Sequence, residues 1–142
     1  LSKNVIPSNI PDLLELAREA AINEEKIRFC VKKSVKALKN SAYVVNTNNS
    51  ISKAAIYAAS YGRREVGIAA EYREKKGAYD LSIRSRGEVD LNRILRSVAP
   101  SFGGSGGGHP VAAGARIPKD SLESFLRAFD KKIGEAKEVK QK

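Results

Sequence analysis

Residues Phe102 to Pro118 read FGGSGGGHPVAAGARIP, and five of the six positions from Gly103 to Gly108 are glycine. Glycine removes the side chain and permits positive φ, so something is expected to approach this backbone closely. Consecutive amide N–H groups can then converge on an anion such as a phosphate. His109, the only histidine of the chain, follows the glycines directly and can donate a hydrogen bond to the same phosphate. The run lacks the lysine and Ser/Thr of a P-loop and does not have the spacing of the dinucleotide fingerprint. The competing reading is a plain connecting loop, with His109 as a cap or a satisfied core residue. The small run Val111, Ala112, Ala113 and Gly114 weighs against it, because such residues suit close packing rather than a linker.

The charge balance points the same way. Lys and Arg outnumber Asp and Glu by 26 to 16, a formal charge of +10, which favours a polyanionic partner through counterion release. The excess is uneven: Lys26 to Arg64 holds nine basic residues and not one acid. Nucleic acid is the leading partner class, with a merely solvated basic face or an acidic protein as the alternatives. No apolar run approaches the roughly 20 residues that cross a bilayer, so no membrane partner is expected. A single cysteine, Cys30, excludes an internal disulfide framework and a zinc-finger-like thiolate site. It reads as a small buried apolar residue in a reducing compartment, the cytoplasm. With Leu1 first, no Met and no signal-peptide layout, the chain reads as an excised piece of a longer parent.

Elements that must position these residues follow from periodicity. Residues 11–39 carry Leu13, Ala17, Ala20, Ile27, Val31, Val35 and Leu38 at helical steps, with a break expected near Asn23. Ala42–Thr47 reads as a strand, and Ser50 as the cap of a helix over 51–61. Val66, Ile68, Ala70 and Tyr72 share one face of a strand, a polar loop spans Arg73 to Gly77, and Tyr79, Leu81 and Ile83 alternate inward on the returning strand. Ser82, Arg84 and Arg86 therefore share the opposite face. Asp90 caps a short helix ended by Pro100; after the glycine loop, Ala112–Ile117 forms a strand. Asp120 with Glu123 makes a capping box for a last helix burying Leu122, Phe125, Leu126, Phe129 and Ile133. The tail from Lys137 to Lys142 is expected to fray. The fold class is α+β, a small mixed sheet containing a hairpin and packed with helices.

Two stretches together, LSIRSRGEVDLNRI from Leu81 to Ile94 and GGSGGGHPVAAG from Gly103 to Gly114, resemble the DHH-associated domain of DHH-family phosphoesterases. That family carries a strand ending in Arg-Ser, a short helix introduced by Asp, and a GGGH motif followed by Ala-Ala-Gly. The GGS ahead of GGGH makes the loop most similar to archaeal RecJ-like proteins, and the resemblance covers roughly residues 42–135. It implies an α+β unit behind a catalytic domain that holds divalent manganese or magnesium. It also implies a phosphate grip at Arg84, Ser85, Gly106, Gly107, Gly108 and His109. On this reading residues 1–40 are a helical linker from the missing catalytic domain, and residues 41–142 are the nucleic-acid-binding domain. The chain itself offers one histidine and no close-set carboxylates, so it is expected to supply no catalytic residue and no metal ligand.

Arg86, Arg63 and Arg64 are further candidates for contact with nucleic acid. Tyr57 and Tyr61, four apart on one helix, either stack on unpaired bases or form an edge of the core. The function expected from the resemblance is a module that holds single-stranded DNA for a RecJ-like exonuclease, in replication or repair. Two alternatives stand beside it: a non-catalytic subunit that binds proteins of the replicative helicase assembly, and the substrate domain of an oligoribonuclease, nucleotide phosphatase or cyclic-dinucleotide phosphodiesterase.

Overall fold

The computed structural model describes residues 10–141. Helix α1 (Ile10–Ser34) runs straight through Asn23 without the expected break. Asparagine costs a helix only about 0.5 kcal/mol, and the contacts of the next residue outweigh that. Glu24 accepts hydrogen bonds from the Tyr57 hydroxyl and, at 2.5 Å, from the Lys53 ammonium. Both belong to α2 (Ile51–Tyr61), whose Ala54, Ala55 and Ala58 pack with Ile27 and Val31 of α1. Helix α1 stops at Ser34 rather than near residue 39, because strand β1 (Lys36–Ala37) turns away to pair antiparallel with β2 (Ser41–Val45). The turn between them is tied to the far side of the domain. The Asn40 amide and the Ser41 hydroxyl donate to the buried Asp130 carboxylate at 2.9 and 2.6 Å.

Ser50 caps α2 as expected, accepting from the Lys53 amide. The hairpin is also present: β3 (Val66–Arg73) and β4 (Ala78–Ser85) pair antiparallel from Val66 opposite Ser85 to Arg73 opposite Ala78. Strand β6 (Ala112–Pro118) pairs antiparallel with β4, and the glycine run forms an edge strand, β5 (Ser105–Gly108), antiparallel to β6. The sheet order is β1-β2-β3-β4-β6-β5, with β2 and β3 parallel and every other neighbouring pair antiparallel. The molecule is therefore an α+β protein built on an open, mixed, six-stranded sheet.

Helices cover both faces. Helix α3 (Leu91–Val98) is capped by Asp90, which accepts from the Arg93 amide at 3.1 Å. With α4 (Leu122–Gln141) it packs on Val66, Ile68, Ala70, Leu81 and Ile83. The opposite face of β3 meets α1 and α2 at Ala69, so this strand is buried on both sides rather than half-buried. Helix α3 ends at Val98, just ahead of Pro100 as expected, and the chain continues into a 3-10 turn at Ala99–Phe102. Two terminal expectations are corrected: Asp120 lies inside a 3-10 turn, Lys119–Ser121, that feeds α4, and α4 stays helical to Gln141.

Below α2's edge, Asp80 bridges three strands, accepting from Arg73 at 3.1 Å and from Arg116 at 2.9 Å. Partial burial raises its pKa, but the two arginine hydrogen bonds win and hold it below the ordinary value. A carboxyl whose folded pKa is depressed contributes stability that is complete above its unfolded value, 3.8, and that disappears as pH falls through the folded one. Because the partners are half exposed, about 1 kcal/mol is expected. Asp80→Asn is expected to lower the urea midpoint accordingly at pH 7, and the two proteins are expected to converge only as pH falls from 3.8 through the lower folded pKa of Asp80.

Candidate nucleic-acid interface

The glycine run is an edge strand and not the loop its composition suggests, and Gly108 explains part of its sequence. Its φ is 145°, and a Cβ there would stand 2.9 Å from the Ala113 Cα and 3.0 Å from the Ala112 carbonyl oxygen. A side chain fits neither the dihedral nor the space. The Gly108 amide donates to Asn92 Oδ1 at 3.0 Å, and the same oxygen accepts from Arg96 Nε at 2.9 Å, so α3 clamps the end of β5.

His109 opens the tight turn into β6, its amide donating to the Ala112 carbonyl at 3.0 Å. The turn is bolted down twice: Pro110 O accepts from the Leu91 amide at 2.9 Å and Val111 O from the Ser85 amide at 3.0 Å. These bonds fix His109 beside the C-terminal end of β4, and its side chain is exposed.

Arg84 lies on that end of β4. Residues 80, 82 and 84 of β4 stand opposite 71, 69 and 67 of β3, which places them on the face covered by α2. The Arg84 guanidinium is half-buried. Its Nη1 donates to Ile83 O at 2.9 Å and to Ala113 O at 3.3 Å, and its Nη2 donates to Ser52 Oγ at 3.1 Å. Arg84 also pairs in register with Ala112, and Gly108 with Ala113. Arg84, Gly108 and His109 thus gather around the first two residues of β6, both alanines. Alongside, a shallow groove is lined by Ile51, Ser105, Gly106, Gly114 and the Asp80–Arg116 ion pair.

Ser85 points its chemistry elsewhere: its hydroxyl accepts from the Gly87 amide at 3.1 Å and shapes the turn after β4. The Arg86 Nη2 donates to Ala59 O at 3.3 Å and to Arg64 O at 2.9 Å. Arg64 in turn donates from Nε to Leu38 O at 2.8 Å. Tyr57 is committed to the α1–α2 seam, with its hydroxyl on Glu24, which raises its pKa, and Arg28 over its ring at 5.4 Å. Tyr61 stands 6.2 Å from it, centroid to centroid, and is more open. Ser52 and Asn92 escaped the sequence reading, since an ordinary serine in the first turn of a helix and an ordinary helical asparagine carry no local signal. Among the described residues no three His, Cys, Asp or Glu side chains gather as a metal would require, so the residues present do not fit a divalent ion. Among them, too, no helix is long and apolar enough to cross a membrane.

An open mixed sheet with helices on both faces and a glycine edge strand beside an anchored arginine defines a class of α+β domain. Residues 14–135 match the DHHA1 domain, and the chain belongs to that family. The matched span begins within α1. The uncharacterized protein MJ0831 of Methanocaldococcus jannaschii is 47% identical over 57 residues, covering 36% of this chain and 13% of that protein. Among solved structures, the pGpG-specific phosphodiesterase PggH of Vibrio cholerae superposes with a TM-score of 0.68 at 15% identity, over 90% of this chain and 44% of that one. RecJ of Thermus thermophilus, solved in complex with Mg2+, gives 0.61 at 15% identity, over 88% and 20% respectively. At these identities the two structures share the fold, and the chain spans less than half the length of each relative.

Proposed function

We propose that this chain is the substrate-holding domain of a phosphodiesterase acting on single-stranded nucleic acid. In this reading Arg84, His109 and the strand Gly106–Gly108 grip phosphate, and the catalytic residues, with their manganese or magnesium, lie elsewhere in the parent. The observation that carries it is that the anchored Arg84 pairs in register with Ala112, the same residue whose carbonyl accepts from the His109 amide, with His109 exposed. Among the described residues Arg84 has no carboxylate hydrogen-bond partner, only carbonyls and a hydroxyl, so its charge is left for an anion. Arginine fits phosphate because its planar fork presents paired donors. Small residues around it let a backbone approach.

A dinucleotide substrate is the second reading, favoured by the superposition on a phosphodiesterase described as pGpG-specific. Fluorescence anisotropy with labelled single strands of increasing length, at two salt concentrations, separates the two. The strand-holding reading expects affinity to rise with length, to fall steeply with salt and to drop in His109→Ala. Affinity that does not grow beyond a dinucleotide selects the second reading. Absence of binding at low salt refutes both and favours an acidic protein partner for the basic surface.

A further inference from the structure

Among the described residues, three arginines at one corner of the sheet are held by main-chain carbonyls and not by acids. Arg84 is bound to Ile83 O and Ala113 O, Arg86 to Ala59 O and Arg64 O, and Arg64 to Leu38 O, Gly62 O and Arg63 O. Carbonyls fix a guanidinium without neutralising it, and each fork keeps unused donors. The Arg64 carbonyl joins Arg86 to Arg64, and Arg84 stands two residues before Arg86 at the end of β4. Arg84 adjoins the start of β6 and the His109 turn, Arg86 adjoins Arg64, and Arg64 adjoins Leu38 between Lys36 and Lys39 of the β1 edge. Both lysines are exposed, and neither they nor Arg63 forms an ion pair among the described residues. The nearest acid in sequence, Glu65, is engaged by Lys137 at 3.4 Å.

Arg63 adds an independent signal. Its φ is 54°, the left-handed position that ends α2, with Arg64 N–H bonded back to Ala59 O at 3.0 Å. Glycine is the residue that this position ordinarily favours. Here the glycine stands one place earlier, at Gly62, where a Cβ would come within 2.3 Å of the Ala42 Cβ. An exposed arginine in a left-handed conformation is a strain that folding alone does not call for.

We propose that this corner extends the phosphate-binding surface. A single strand seated at Gly106–His109 passes over Arg84 and Arg86 at the end of β4 and reaches Arg63, Lys36 and Lys39. The sheet order sets the path at about 14 Å from β5 to β3 and about 24 Å to β1, longer than a dinucleotide needs. The inference rests on the strand-holding reading above.

The test compares the full chain with Arg63→Gly, Lys36→Glu/Lys39→Glu and His109→Ala, using a labelled dinucleotide and an oligothymidylate of about twelve nucleotides. Arg63→Gly is expected to raise Tm by a few degrees yet weaken the longer strand several-fold, a combination that a purely structural arginine would not produce. The double lysine variant is expected to weaken the longer strand about tenfold or more and to flatten its log–log salt slope by about 1.4. Dinucleotide affinity is expected to stay unchanged in both. The proposal is overturned if both corner variants hold the longer strand as the wild type does while His109→Ala weakens both ligands. If His109→Ala weakens neither ligand, the phosphate-grip reading fails, and loss of the longer strand in the corner variants would still identify the corner as its binding surface.

Discussion

Gly67→Ala is expected to lower stability by about 3 kcal/mol or more and to abolish the arrangement at Arg84 along with it. The Cβ it adds would stand 2.0 Å from the Ala55 carbonyl oxygen and 2.6 Å from the Ala59 amide nitrogen, both backbone atoms of α2. Backbone cannot swing aside as the tip of a side chain can, so the helix must lift off β3 or the strand must buckle. Lifting α2 opens the seam of Ala54, Ala55, Ala58 and Ala69 and withdraws Ser52 from Arg84. Urea unfolding monitored by circular dichroism measures the loss. Gly77→Ala is the informative comparison, since nothing lies within 4 Å of its added carbon and only the left-handed φ of 59° opposes it, worth about 1 kcal/mol. Equal losses at the two positions would contradict the close approach of α2.

Much of this architecture can be read from the chain because the signals are local. The alternation through β3 and β4, the Ser50 and Asp90 caps and the aromatic-rich face of α4 each depend on neighbours within a turn or a pleat. What escaped depends on distant partners. A break is expected near Asn23, yet α1 continues because Glu24 reaches Lys53 and Tyr57 some thirty positions on. The helix ends early because Asn40 and Ser41 are claimed by Asp130, about ninety residues away. The glycines read as a loop because glycine has low strand propensity. They form β5 because β6 offers an unpaired edge of equally small residues, Gly114 opposite Gly107 and Ala113 opposite Gly108.

The candidate site was legible in part for the same reason. Arg84 and His109 stand out by type and by resemblance, while the residues that orient them are anonymous in sequence. Asn92 earns its place only through the Gly108 amide, and Ser52 only through the Arg84 guanidinium. Tyr57 shows the converse: the sequence leaves it either a base-stacking platform or an edge of the core, and its distant partners Glu24 and Arg28 put it at the contact between α1 and α2.

Arg84→Ala is expected to weaken single-strand binding by about 10- to 100-fold, the scale of losing a charge-assisted phosphate contact and its fork geometry. The same change also removes three hydrogen bonds that hold β4, β6 and α2 together, so a stability loss of about 1 to 2 kcal/mol is expected beside it. Arg84→Lys separates the two effects. Lysine keeps the positive charge but cannot bridge two carbonyls and a hydroxyl while also presenting a planar pair of donors to phosphate. It is therefore expected to retain the salt slope of the wild type while leaving most of the affinity unrestored, because the slope counts neutralised phosphates and the affinity depends on how they are met. Anisotropy titrations of the three proteins across a salt series, at a temperature where all remain folded by circular dichroism, make the measurement. Full recovery in Arg84→Lys would reduce Arg84 to a point charge and shift the grip to His109 and the glycine strand. Unchanged binding in Arg84→Ala would remove this residue from the interface altogether and leave it a strut between the sheet and α2.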